Sequence, residues 1–376
     1  MTTDPTWGAW LAAQAAARTA AGLERELRPR PADDETVDLA GNDYLGLARD
    51  PRVTAAAAAA AQMWGAGSGA SRLVTGTLDL HASLEGALAG YLGQPAALCF
   101  STGYHANLGL VAALADRDTL IVSDAHIHAS LIDAVRLSRA ELAVVPHNDV
   151  EAVRRAVAAA GGRRTLVLAE SVYSVLGDAA PLTDLAAICA EAGALLVVDE
   201  AHGLGVHGPG LVHAAGLAWQ PHVVVTATLS KALGSQGGAV LGDPAIIEHL
   251  VNTARPFIFD TALAPAAAGG ALAALEVLIA EPGLPGVVRA RVDDLAAALG
   301  VDPSVGAVLS VPMPSPQAAV AGQAAAAAQG VRVGCFRPPS VPDGISRLRI
   351  TVNAGLSDAA WDRALGVLVA VVKEFR

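Results

Sequence analysis

The sequence predicts an α/β protein: a mostly parallel seven-stranded sheet with helices on both faces, plus a smaller C-terminal α+β domain. Three observations carry this. Short apolar runs recur from Ala97 to Leu241. Helix-patterned segments separate most of them, and strands alternating with helices build parallel sheets. From about Ala274 the alternation gives way to a different pattern.

The elements follow in order. Trp10, Leu11, Ala17 and Leu23 recur near helical spacing, so Trp7 to Leu27 reads as a helix, ended by Pro29 and Pro31. Val53 to Trp64 is a second, Ala-rich helix. The strands are Ala97–Phe100, Thr119–Val122, Leu142–Val145, Thr165–Ala169, Ala194–Val198, Val223–Thr226 and Gly238–Leu241. Helices fall at His105–Leu114, Ala129–Arg139, Val150–Ala160 and Pro181–Ala192. In the C-terminal region Val308–Val311 and Leu348–Val352 read as strands, Ala324–Ala328 as part of a helix and Asp358–Glu374 as the terminal helix. The expected organisation is an N-terminal segment over 1–44, a large domain over 45–273 and a small domain over 274–376.

Composition narrows the function. The chain has 376 residues, 53% hydrophobic and 16% charged, a balance unlike that of disordered chains. Much of the apolar excess is Ala, which is small and favours helices. Two stretches lack Asp, Glu, Lys and Arg, His202–Ser230 and Pro303–Val331. The first is interrupted by His, Pro and Gly, the second by Pro and Gln, so neither is the apolar span of about 20 residues that a bilayer needs. A net charge of −11 without a basic cluster argues against a nucleic-acid partner. Three scattered cysteines, Cys99, Cys189 and Cys335, fit a reducing cytoplasm, and Met1 to Trp10 suggests no signal peptide. His126, His128 and His147 lack ligand companions at metal spacing, so no metal is expected. Gly65–Ala70 lacks the Lys-Ser/Thr ending of a phosphate loop and follows a helix rather than a strand.

Ligands of such sheets bind beyond the carboxyl ends of the strands. Polar residues there include Ser101–Tyr104, Ser123-Asp124, Glu170-Ser171, Asp199–His202 and Thr228–Lys231. Only two lysines occur, Lys231 and Lys373. Lys231 lies among Leu, Ala, Gly and hydroxyls, where a lowered pKa suits a Schiff base. Asp199 follows the most apolar strand, and a buried carboxylate there needs a partner. A lysine, an acid for a pyridinium nitrogen and a helix N-terminus for a phosphate are the requirements of pyridoxal phosphate. Ser101-Thr102-Gly103-Tyr104 precedes a helix and could supply the third.

The order of several motifs extends this reading: Asn42-Asp43-Tyr44-Leu45-Gly46-Leu47, Gly67 to Gly76, His81 to Glu85, Ser101 to Asn107, Val198 to Gly205, Thr228 to Gly234 and Phe336 to Pro342. From about Leu39 to the C-terminus the chain resembles the α-oxoamine synthases, which are fold-type I pyridoxal-phosphate enzymes. The resemblance implies that Lys231 binds the cofactor and moves the substrate α-proton. Asp199 would pair with the ring nitrogen, His202 would stand near the ring hydroxyl and His128 would stack on the ring. Gly103 and Tyr104 would lie at the phosphate, with Ser174 and Thr228 as further contacts. Thr261 would reach the cofactor of a neighbouring subunit, which implies a homodimer with shared active sites. Arg25, Asn42, Ser340 and Arg349 would contact substrate, Arg349 by holding an amino-acid carboxylate.

The implied reaction is a decarboxylative condensation of an amino acid with an acyl thioester. Arg337-Pro338-Pro339 favours the branch that joins L-alanine to a pimeloyl thioester of coenzyme A or acyl carrier protein, in biotin synthesis. Ligase and aminolevulinate-forming branches usually carry an aromatic-Pro pair there. Two positions depart from the family pattern: Ile127 replaces a usual Ser, and Leu176-Gly177-Asp178 replaces Asp-Gly-Asp. A non-catalytic subunit of the same fold is the contrasting expectation, and it would not need Lys231.

Overall fold

A computed structural model describes residues 6–20, 24, 27–338, 341 and 343–376. The chain forms two compact units, one ending at Thr36 and the other comprising Val37–Arg376. The first contains the helix Trp7–Ala20, within the expected Trp7–Leu27, part of whose remainder lies outside the described residues. None of its residues is buried, and Trp7 meets Trp10 edge-to-face at 5.6 Å.

Among the described residues the second unit contains every strand: β1 Val37–Leu39, β2 Ala96–Phe100, β3 Leu120–Asp124, β4 Glu141–Val145, β5 Thr165–Glu170, β6 Leu195–Asp199, β7 Val223–Thr228, β8 Gly238–Gly242, β9 Val308–Pro312, β10 Val331–Phe336 and β11 Arg347–Thr351. The seven-stranded sheet runs β2-β8-β7-β6-β5-β3-β4, and its members are the seven expected strands. Only β8 is antiparallel to its neighbours β2 and β7. Successive side chains point to opposite faces of a strand. Val197 and Val224 accordingly join one buried cluster, while Val198 and Val225 join the other. Both faces of the sheet are thus covered, as the near-continuous apolar strands require.

The second sheet runs β1-β10-β11-β9. Val37–Leu39, placed in the N-terminal segment by sequence, pairs in parallel with Val331–Val333. A three-residue strand carries no periodicity, and its partner lies far along the chain. The expected boundary at 273/274 lies inside the helix Pro265–Ala280. Apart from Glu276 that helix is made of apolar and small residues and packs into the core, so no periodic stripe announces it. Among the described residues no single helix is long and apolar enough to cross a membrane. Pro265–Ala280 and Leu284–Leu299 pass together by length and composition, but they are bent by 81° and contribute many core residues.

Candidate active site

The carboxyl ends of β3, β5, β6 and β7 place Asp124, Glu170, Asp199 and Thr228 along one edge of the sheet. Register sets Glu170 beside Asp199 and Asp199 beside Thr226. A cavity of about 240 Å³ opens there, lined by residues including Gly103, Tyr104, His128, Asp199, His202, Thr228 and Lys231. A second cavity of about 570 Å³ shares His128, His202 and Lys231 with it and adds Asn42, Ser174, Phe336 and Arg349.

Thr102 caps the helix Gly103–Leu114, its hydroxyl accepting from the His105 amide at 3.0 Å. The helix start lies directly against β7 and β8. A Cβ on Gly238 would stand 2.5 Å from the Gly103 backbone, and one on Gly103 would stand 3.1 Å from Thr228 Cβ. Two glycines therefore let helix amides reach the cavity floor. Tyr104 is half-exposed, and its hydroxyl donates to Asp133.

Asp199 is buried. Its Oδ1 accepts from the Ala201 amide at 2.9 Å and its Oδ2 from Asn107 Nδ2 at 2.8 Å. The second Asn107 proton goes to Ser130 Oγ at 2.9 Å. Ser130 in turn donates to His128 Nδ1 at 2.8 Å. His128 Nδ1 is then an acceptor, which puts its proton on Nε2. Burial, with Lys231 adding repulsion, lowers the His128 pKa despite the Asp199 charge.

On the other side of the cavity Lys231 Nζ lies 2.8 Å from His202 Nε2, and His202 Nδ1 lies 2.7 Å from the Tyr44 hydroxyl. That hydroxyl donates to Asn42 Oδ1 at 3.0 Å, so it accepts from His202 Nδ1–H, and His202 Nε2 accepts from Lys231. His202 is therefore a neutral imidazole. Burial holds its pKa well below the usual value, helped by the charges of Lys231 and Arg349. Arg349, itself buried, reaches the same Asn42 oxygen at 3.2 and 3.3 Å. Its Nε donates to the Ser174 carbonyl at 2.9 Å, and its guanidinium lies over the Phe336 ring. Burial pushes Lys231 down to about 8, against the pull of the Asp199 and Glu170 carboxylates and with repulsion from Arg349. Glu170 Oε2 accepts from the Ser174 amide at 3.2 Å, while burial beside Asp199 drives the Glu170 pKa well up.

The two cavities thus bring together Gly103, Tyr104, His128, Asp199, His202, Thr228, Lys231, Asn42, Ser174 and Arg349. Thr261 is exposed and lines neither. Arg25 and Ser340 lie outside the described residues. Sequence reasoning assigned no role to Tyr44, Asn107, Ser130, Glu170 or Phe336. Asn107 had a signal: four residues after Gly103, it shares that residue's helix face. Tyr44 stood inside a quoted motif, but its bond to His202 spans 158 positions. Ile127, one departure from the family pattern, is buried in the wall of the second cavity. Among the described residues no group of three or more His, Cys, Asp or Glu could hold a metal ion.

A parallel sheet with a lysine, an acid and a histidine converging at its carboxyl edge defines a class. The chain belongs to the aminotransferase class I and II family, whose model matches residues 34–368. Within that class it belongs with the 8-amino-7-oxononanoate synthases. It is 54% identical to the one from Mycolicibacterium smegmatis over 98% of this chain and 97% of that protein. Identity to the one from Mycolicibacterium gilvum is 53%, over 97% of each. Among solved structures, serine palmitoyltransferase of Sphingomonas wittichii superposes with a TM-score of 0.89 at 30% identity, over 97% of this chain and 98% of that one. The 8-amino-7-oxononanoate synthase of Francisella tularensis superposes with a TM-score of 0.76 at 25% identity, over 91% and 99%. Another similar structure, at 29% identity and a TM-score of 0.88, is a serine palmitoyltransferase holding pyridoxal phosphate.

Proposed function

We propose that the protein joins L-alanine to a pimeloyl thioester, releasing carbon dioxide and the free thiol and forming 8-amino-7-oxononanoate. The observation that carries this is Lys231 on His202 at the junction of the two cavities, with Asp199 behind it and Arg349 ahead. The first cavity suits pyridoxal phosphate. Gly103 and Gly238 leave a cradle that a Cβ would fill, Asp199 offers a carboxylate already oriented by two donors, and Lys231 is the one amine in reach. Bound there, pyridoxal phosphate supplies the electron sink that makes the α-carbon of the amino acid acidic.

The chain's own groups do the rest. Asp199 would hold the ring nitrogen, and Asn107 and the Ala201 amide keep that carboxylate aimed. His128 would cover the ring, its orientation fixed through Ser130. Thr102, Gly103, Tyr104 and Thr228 would hold the phosphate. Lys231, with a pKa of about 8, carries the α-proton away and returns one to the product. His202 accepts from Lys231 and so fixes where the amine points. Arg349 grips the amino-acid carboxylate with Asn42 beside it, a charge-assisted contact. The larger cavity, walled by Ile127, Ile132, Val175 and Leu176, takes the acyl chain. The family resemblance alone implies Arg25 and Ser340 as further substrate contacts. Thr261, exposed on its own chain, serves a second copy, so the working unit is a homodimer. The enzyme works in the cytoplasm, with coenzyme A or acyl carrier protein as the acyl carrier.

The test crosses L-alanine, glycine and L-serine against pimeloyl-CoA and acetyl-CoA. L-alanine with pimeloyl-CoA should give the fastest release of carbon dioxide. Faster turnover of glycine with acetyl-CoA would move the protein to the ligase branch. A colourless protein that borohydride cannot trap after cofactor loading would leave only the non-catalytic reading.

A further inference from the structure

We propose that His147, which lines neither cavity, is a positioning residue: as an imidazolium it ties together the two loops that wall the substrate cavity and so holds the grip of Arg349. This rests on the reading of that cavity given above. His147 follows β4 and stands between the loop after β3 and the loop after β5. Its Nδ1 lies 2.9 Å from Asp124 Oδ1 and its Nε2 2.7 Å from Asp178 Oδ2. A carboxylate only accepts, so both ring nitrogens carry protons and the ring is a cation. Both carboxylates are otherwise occupied as acceptors. Asp124 receives the amides of His126 at 2.7 Å and Asn148 at 2.8 Å, and Asp178 receives Asn148 Nδ2 at 2.9 Å.

Asn148 Nδ2 also lies 3.4 Å from His147 Nε2, but the 2.7 Å contact to Asp178 is much the shorter and fixes a proton on that nitrogen. The His126 ring stacks on His147 at 3.9 Å and 20°, and Tyr173 meets it edge-on at 4.5 Å. Burial and the neighbouring His147 lower the His126 pKa, so this partner stays neutral. Burial opposes charge on His147 as well, but the bonds to Asp124 and Asp178 outweigh it and its pKa is raised.

The consequence reaches the site through the second loop. The Tyr173 amide donates to the Asp178 carbonyl and the Gly177 amide to the Tyr173 carbonyl, both at 2.9 Å, which closes the turn. That turn carries the Ser174 carbonyl that receives Arg349 Nε, and Val175 and Leu176 of the cavity wall. The first loop supplies the facing wall, His126 and Ile127. Loss of the His147 proton removes one of the two donors, and one loop is released.

The cofactor-loaded protein tests this in two ways. Nitrogen-15 spectra of wild type at neutral pH should show both His147 nitrogens protonated, and a neutral His147 overturns the proposal. His147→Gln keeps one donor and loses the charge. Its KM for L-alanine should rise about tenfold, as for a lost charged hydrogen bond, with kcat within about threefold. In wild type the same KM should climb as pH rises through the His147 pKa, and His147→Gln should lack that climb. An unchanged KM, or a loss confined to kcat, overturns it. Should His147→Gln fail to fold, the wild-type spectra and pH profile decide alone. Should wild type not turn over L-alanine, the proposed function fails separately, and amino-acid affinity read from the cofactor's visible band replaces KM.

Discussion

Lys231 owes its chemistry to where its amine ends. The same residue on the surface would be a permanent cation, but here burial takes it down to about 8 and His202 accepts one of its protons. A lysine with a lowered pKa is neutral above that value, and only the neutral amine is a nucleophile. Covalent capture of pyridoxal phosphate by the cofactor-free protein should therefore speed up as pH rises to about 8 and level off above it. Stopped-flow absorbance reads this, and a midpoint near the ordinary lysine value would reject the buried-amine account. Borohydride trapping should vanish in Lys231→Ala. The presence of a reactive lysine was legible because the chain has only Lys231 and Lys373. The residues that build the site around it were not, because Tyr44, Asn107 and Ser130 reach it from other elements through side-chain bonds.

At the scale of elements, the phosphate end of the site depends on how closely one helix approaches one strand. The helix Gly103–Leu114 can start on β8 only because Gly238 has no side chain. Gly238→Ala would put its Cβ 2.5 Å from the Gly103 backbone, which must move. A loss of about 1–3 kcal/mol of stability is expected from such overpacking, with weaker cofactor binding. Denaturant unfolding and equilibrium dialysis measure the two. Gly86→Ala is the control. It lies within the helix Asp79–Leu92, and its added Cβ meets nothing within 4 Å. It should gain about 0.4–1 kcal/mol and bind cofactor normally. Equal losses in both variants would remove the argument from close approach.

The same scale shows which elements sequence could reveal. The seven strands of the main sheet declared themselves as short apolar runs between turns. β10 was not expected, and neither were the helices Asp79–Leu92, Pro265–Ala280 and Leu284–Leu299. Where small and apolar residues fill nearly all of a helix, as in Pro265–Ala280 with Glu276 its one charge, hydrophobic periodicity has little to measure.

For the whole molecule, the carboxylate of Glu200 sets a pH dependence. It is fully buried, accepting from Ser171 Oγ and from the Val212 amide, both at 2.6 Å. Burial raises its pKa from 4.5 to about 7 despite those bonds. The folded state then holds its proton more tightly than the unfolded chain. The associated stability is complete below about 4.5 and declines as pH rises towards about 7, by an amount on the order of 3 kcal/mol. Glu200→Gln cannot ionise, so its stability should fall less over that range. Urea unfolding across the interval compares the slopes, and parallel slopes would contradict the assignment.

By itself the sequence determined the strand-helix alternation, the scarcity of lysine and the order of the motifs, because each is written in neighbouring residues. From these came the sheet, the cofactor and the family. Tertiary structure decided what distance along the chain conceals. It placed β1 beside β10 and joined Lys231, His202, Tyr44, Asn42 and Arg349 into one hydrogen-bonded chain. It also set His147 between Asp124 and Asp178. Local sequence determines which elements form, but pairings between distant residues depend on packing, and packing sets the charges and directions of the groups at the site.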